Sequence, residues 1–273
     1  MCATCGCGGT GPRVDGVDLE LDHEHEQDHG HGHGHGHGPG HGHGSDGSAG
    51  QTWWVEPRTV LLEQDVLAKN DELARYNRDW LADNGITAIN LMSSPGSGKT
   101  TLLERTIAAA GEIPISVVEG DQETPFDADR IRATGCRAVQ VNTGAGCHLD
   151  AAMLAGALRE LAPPRDSVVL VENVGNLVCP ALFDLGELAK VVIMSVTEGA
   201  DKPLKYPHMF RCADMVLLNK IDLLPHVDFD VARFTADARE VNPNLEIRQI
   251  SATRGDGVAD WAGWLLSRSR TRS

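Results

Sequence analysis

Two sets of residues in this chain could do chemistry: clustered thiols with imidazoles, and a glycine-rich loop that ends in lysine. In NTGAGCHLD, residues 142–150, Cys147 and His148 stand side by side just after two glycines. The spacing predicts that they begin a helix, where backbone N–H groups and the dipole would lower the thiol's pKa and favour the metal-binding thiolate. Cys179, in NLVCP, is a third thiol in the loop beyond Glu172. Three ligands per chain fall short of the four that zinc prefers, whereas nickel also accepts thiolate and imidazole, often in planar arrangements. A symmetric dimer would double the supply and put the metal on the two-fold axis. At the start of the chain, MCATCGCGG can gather the thiolates of Cys2, Cys5 and Cys7, and removal of Met1 would offer the Cys2 amine as a fourth planar ligand suited to nickel. The tract that follows holds nine of the twelve histidines, mostly spaced H-G-H-G, and reads as a metal reservoir. Cys136 and Cys212 lack such company and read as structural.

The second set is LMSSPGSGKTT, residues 91–101, which follows a strand-like run and opens a helical one. In such a loop the backbone of Gly96, Ser97, Gly98, Lys99, Thr100 and Thr101 curls so that N–H groups face phosphate oxygens. Lys99 reaches the terminal phosphates, and the Thr100 hydroxyl ligates Mg2+. Ser93 stands where the general pattern has its first glycine. The base is indicated by LLNKID, whose Asn219, Lys220 and Asp222 match the Asn-Lys-x-Asp element of GTPases: the aspartate accepts from guanine N1 and N2, where adenine offers no matching donors. Ser251 and Ala252, in SAT, resemble the backbone contact to the guanine oxygen, so GTP is the expected nucleotide. Glu172 closes an apolar strand and Gly175 follows it, as in Walker B type elements, and Asp121 in EGDQET is the other expected magnesium partner. No glutamine or arginine finger is marked, so intrinsic hydrolysis is expected to be slow.

These residues need elements to hold them. Seven short β-branched runs (ITAINLM, ISVVEG, AVQVN, SVVLVEN, VVIMSV, MVLLNK and IRQIS) alternate with helical or loop segments, which predicts an α/β fold with a mostly parallel sheet flanked by helices. The motifs follow directly after these runs, at the carboxyl ends where such sheets bind ligands. Residues 1–50 have almost nothing apolar to bury and are expected to be a disordered metal-binding tail. Residues 51–85 read as linker and leading helix ending at Asn84-Gly85, and residues 86–268 as the nucleotide-binding domain. The formal net charge of −15 leaves no basic face for nucleic acid. No run of eighteen apolar residues offers to span a membrane, and no basic stretch with an apolar core marks a secretory signal, so the expected compartment is the cytoplasm.

Taken together, SSPGSGKTTLL, EGDQET, RATG, VNTGAGCHLDA, ENVGNLVCP, FDLGE, VTEGADKPLKYP and LLNKIDLLP resemble the nickel-incorporation GTPases of [NiFe]-hydrogenase maturation, the HypB family, over roughly residues 58–268. The resemblance implies a P-loop GTPase that dimerises around nucleotide and exchanges nickel with a small zinc-containing accessory protein, HypA. It would help deliver that nickel to the hydrogenase large subunit. It implies a shared nickel or zinc site at Cys147, His148 and Cys179, while CATCGC and the histidine tract are similar to nickel-binding and nickel-storage segments of different members. Two alternatives stand beside it: the urease-maturation GTPase, which typically has proline between the cysteine and the histidine, and a nickel or zinc storage protein with a G-domain scaffold. Lys202 and Lys205, in ADKPLKYP, match a family stretch read here as a loop ordering dimer or nucleotide.

Overall fold

The computed structural model describes residues 13–14, 17–18, 57–121, 126–144, 146 and 148–270, with side chains over 65–269. The expected tail of residues 1–50 lies outside the described residues but for one feature. Arg13–Val14 (β1) and Val17–Asp18 (β2) pair antiparallel around Asp15-Gly16, a dipeptide that two-residue hairpins favour, and β1 continues the sheet edge. Those four residues depart from the expectation of an unstructured tail because an open strand edge gives the hairpin backbone partners.

Helix α1 (Pro57–Asp83) follows and stops where Asn84-Gly85 predicts, with Gly85 at a left-handed φ of +66°. Asn70, Ala74, Asn77 and Leu81 are buried at helical spacing, so one stripe of α1 faces the protein.

The seven apolar runs become seven parallel strands: β3 (Thr87–Ser93), β4 (Ile115–Asp121), β5 (Arg137–Asn142), β6 (Val168–Gly175), β7 (Ala189–Ser195), β8 (Met215–Asn219) and β9 (Glu246–Gln249). The sheet order is β2-β1-β5-β4-β6-β3-β7-β8-β9, so only the hairpin edge is antiparallel. Every residue of β3 is buried, because helices cover both of its faces. Each fully buried aliphatic side chain there contributes about 1.5–3 kcal/mol.

One face of the sheet carries α2 (Lys99–Ala109), α3 (Phe126–Ala133) and α8 (Val258–Arg270), with Trp261 of α8 packed in the same cluster as Ile89, Leu91, Val117 and Leu170 of the strands. Trp261 anchors α8 by donating its indole N–H to Thr106 Oγ1 of α2 at 2.9 Å. The opposite face is shared. α1 and α4 (Ala151–Leu161) cover β4, β5 and β6 around Leu149, Leu154 and Val169. Short α5 (Lys202–Lys205), α6 (Pro207–Cys212) and α7 (Val231–Val241) accompany β7 and β8 around Met92, Met194, Phe210 and Phe234. Among the described residues no helix is long and apolar enough to cross a membrane. The carboxyl ends of β3 and β6 open on the same side, where the chain switches direction across the sheet.

Candidate functional site

The loop between β3 and α2 is built as its sequence demands. Gly96 and Gly98 adopt left-handed φ values of +73° and +96°, and Gly98 caps α2. Ser93 is not among the positive-φ residues, so the position needs no glycine, and its hydroxyl instead receives the Lys99 ammonium at 2.9 Å. Gly96, Ser97, Gly98, Lys99, Thr100 and Thr101 line a cavity of about 350 Å³ together with Asp127, Arg130, Glu172 and Lys220. Gly175, at the end of β6, lies so close to Pro95 that a Cβ there would sit 3.1 Å from the proline ring. The buried Ser97 hydroxyl has no partner within the described residues, which leaves it available to a bound group.

The residues expected to read the base are joined to this loop. Asn219 Nδ2 donates to the Ser97 carbonyl at 2.9 Å, while Asn219 Oδ1 accepts from the backbone N–H of Lys220 at 2.8 Å and of Ala252 at 3.0 Å. Lys220, itself left-handed, donates to the Gly96 carbonyl at 2.6 Å. Asp222 Oδ1 accepts from the Ser251 hydroxyl at 2.6 Å. One asparagine thus ties the phosphate loop, the end of β8 and the segment after β9 into a single rim.

Behind the cavity the structure brings together carboxylates that sequence reasoning did not combine. Oxygens of Glu119, Asp127 and Glu172 lie within 4.8 Å of one another, and Lys99 Nζ stands 3.6 Å from Glu172. Asp121, expected to take this place, is not in the group; it is half-buried at the end of β4, and its carbonyl accepts from Thr143 N. The reason is register: Glu119 pairs with Glu172 across β4 and β6, so both project to the α2 face at one level, whereas Asp121, on the same face, stands two residues further along the strand, beyond the pair. Burial pushes Glu119 well above the ordinary carboxylate range, and the charge of Glu172 adds to it. Glu172 is also raised by burial, with Lys99 pulling the other way. One oxygen of each has no hydrogen-bond partner. Buried carboxylates with orphan oxygens are costly unless a cation compensates them, so this donor set fits a hard divalent ion beside phosphate oxygens.

Of the expected metal ligands, the described His148 and Cys179 belong to segments that lie toward the opposite face. Cys2, Cys5, Cys7 and Cys147 lie outside the described residues. The expected helix start at Cys147-His148 is corrected: α4 begins at Ala151, and Asp150 is its N-cap, accepting from Met153 N at 2.8 Å. Aspartate satisfies an orphan N–H that cysteine cannot, so the helix dipole no longer explains an activated thiol. His148 lies instead against Phe183, ring centroids 3.9 Å apart, and burial pulls its imidazole below the ordinary value despite Asp150. A neutral imidazole is the form that ligates metal. Cys179 is half-buried at the first position of a 3₁₀ turn, Cys179–Ala181, four residues before Phe183. The stacking therefore brings the two segments together.

Between the two sites runs β6. Glu172 faces the phosphate loop, while the next residue, Asn173, faces the other way and accepts from Leu149 N at 3.1 Å. Lys202 approaches Glu198 at 3.9 Å and Lys205 pairs with Asp201 at 2.7 Å. Glu198 in turn accepts from Ser94 at the base of the phosphate loop and from Ser195 N at 3.0 Å.

The family model described as CobW/HypB/UreG, nucleotide-binding domain, matches residues 87–249. The hydrogenase maturation factor HypB of Azotobacter vinelandii is 55% identical over 218 residues, 80% of this chain and 72% of that protein. The crystal structure of HypB from Archaeoglobus fulgidus covers 75% of this chain and 100% of its own, at 41% identity and a TM-score of 0.70. That of HypB from Helicobacter pylori in complex with nickel covers 74% of this chain and 96% of its own, at 40% identity and a TM-score of 0.70.

Proposed function

The chain belongs to the HypB family of hydrogenase maturation factors within the CobW/HypB/UreG group, and from that premise we propose that it hydrolyses GTP to govern the holding and release of nickel. Its cargo would go to the large subunit of a [NiFe] hydrogenase. HypA would be its exchange partner, and the working form a homodimer assembled on GTP and metal.

One observation carries this reading. Consecutive residues of β6 reach both sites, with Glu172 beside Lys99 and Asn173 bonded to the loop of His148. The same strand runs on into the turn of Cys179. A change at the terminal phosphate therefore has a short, rigid route to the metal ligands.

In this reading the backbone of the phosphate loop binds the β- and γ-phosphates, and Lys99 moves its ammonium from Ser93 and Glu172 to them. Asp222 receives the guanine N1 and N2 donors in place of, or beside, the Ser251 hydroxyl. Thr100 and Glu172, with Glu119 and Asp127 behind, would hold Mg2+, which neutralises charge developing on the phosphate oxygens. Gly175 lies against Pro95 of the loop, and its N–H would sense the γ-phosphate. Cys147, His148 and Cys179 would hold nickel or zinc, and Cys2, Cys5, Cys7 and the histidine tract would store nickel. A H. pylori relative crystallised with nickel supports the choice of metal.

The experiment is nucleotide turnover by the full chain with GTP and ATP. GTP-selective hydrolysis that is lost in Lys99→Ala supports the reading. Equal use of both nucleotides overturns the choice of GTP, and no hydrolysis of either overturns the reading in favour of a storage protein on an idle scaffold.

A further inference from the structure

The His148 loop follows β5 and the Cys179 segment follows β6, and the described backbone hydrogen bonds do not join the two segments directly. Side chains of α1 do. Asn70 accepts from Ala151 N at 2.9 Å and donates to the Asp184 carbonyl at 2.8 Å. Asn77 donates to the Ala151 carbonyl at 2.8 Å and to the Leu185 carbonyl at 3.0 Å. Each amide therefore bridges one backbone group of the first segment and one of the second. Both are buried, 6% and 2% exposed, and seven residues apart on one face of the helix.

Arg78 fixes the same helix face to Asp184 with both contacts under 3 Å, and Asp184 holds Gly186 N at 2.8 Å. From the sheet side, Asn173 joins Leu149 N to Asn90, Asn90 reaches Glu187, and Glu187 accepts from Leu185 N. Thus the residues next to His148 and those just beyond Phe183 are clamped between two polar sets, one on α1 and one on the sheet.

A helix that only needed to pack would present leucine here. Asparagine is a weaker helix former, and a buried amide is costly unless its bonds are made. What its bonds secure is a fixed separation between the two segments.

We infer that Asn70 and Asn77 are positioning residues of the metal site, a two-rung brace through which α1 sets the distance between His148 and Cys179. The inference rests on the proposed metal role of Cys147, His148 and Cys179. It adds that the site's geometry depends on a helix that carries none of its ligands.

The test uses the full chain with Cys2, Cys5 and Cys7 changed to serine, so that thiolate-to-nickel charge-transfer absorption reports the folded domain alone. Nickel is titrated against a competing chelator in Asn70→Leu, Asn77→Leu and Asn70→Asp, alongside Cys147→Ala. The two leucine variants are expected to bind nickel about 10- to 100-fold more weakly, as outer-shell changes do, with a shifted charge-transfer band and unchanged GTP turnover. Asn70→Asp keeps the acceptor for Ala151 N and falls between them and the parent. Parent-like affinity and band in both leucine variants would overturn the brace while leaving the metal site standing. Loss of turnover in step with melting temperature would overturn it as well, since the amides would then serve only the fold. A parent without the band, or a Cys147→Ala that keeps it, removes the metal site itself and the brace with it.

Discussion

Replacing Gly98 by alanine should cost far more than the same change at Gly96, although both are glycines of one phosphate loop. Both take left-handed φ values, +96° and +73°, a conformation that costs an L-residue about 1–2 kcal/mol. At Gly96 a new Cβ meets nothing within 4 Å, so backbone strain is the whole penalty. At Gly98 it would lie 2.6 Å from Asn219 Nδ2, so the carboxamide has to move. That carboxamide makes bonds to Ser97, Lys220 and Ala252, each worth about 1 kcal/mol net. The sums are roughly 4–5 kcal/mol for Gly98→Ala and roughly 1–2 kcal/mol for Gly96→Ala. At 1.4 kcal/mol per tenfold, nucleotide affinity drops about a thousandfold in the first and about tenfold in the second. Titration with a fluorescent GDP analogue at fixed Mg2+ measures both, with thermal melts confirming that each variant is folded. Affinities within threefold of each other would refute the proposed joint between the phosphate loop and Asn219.

Glu119→Gln should stabilise the nucleotide-free protein at neutral pH while reducing Mg2+-dependent turnover. A carboxyl whose folded pKa is raised keeps its stability contribution below its ordinary 4.5 and loses it as pH rises, so the melting temperature of the parent should fall from pH 5 to pH 8 more steeply than that of the variant. Parallel melting curves would show that the buried pair carries no such penalty. Cys136, whose thiol burial pushes up to about 11, should resist alkylation at pH 8 and react with a midpoint well above 9; mass mapping of alkylated peptides reads this directly. Gly186→Ala would set a Cβ against the Ala74 carbonyl and 2.8 Å from Arg78 N at a φ of +89°. A penalty of about 3 kcal/mol there lowers the melting temperature by roughly 6–12 °C.

The five inner strands were legible because β3, β4, β6, β7 and β8 are nearly continuous apolar runs covered on both faces, whereas β5 and β9, at the two ends of the parallel set, mix apolar and polar residues and are less buried. The phosphate loop and the Asn219 element were legible because each is contiguous and its backbone conformation is encoded in glycine and asparagine. Glu119 and Asp127 were not, because their approach to Glu172 depends on strand register and on the placement of α3, neither of which is written in a local stretch. The start of α4 was misplaced for a different reason. Two glycines before Cys147 looked like a helix entry, yet Asp150 is the better cap, and Leu149 is drawn fully into the core ahead of it. Asn70 and Asn77 look in sequence like polar positions on a charged helix. Their role becomes visible only when the loops they bridge are folded against them.

In the proposed function, nucleotide state governs the metal site through β6. Nickel titration of the full chain, with Cys2, Cys5 and Cys7 changed to serine, in the presence of a non-hydrolysable GTP analogue or of GDP, tests it while light scattering follows mass. Both the nickel affinity of the thiolate site and the dimer population are expected to differ between the two nucleotides. Identical nickel affinity and identical mass in the two states would contradict it.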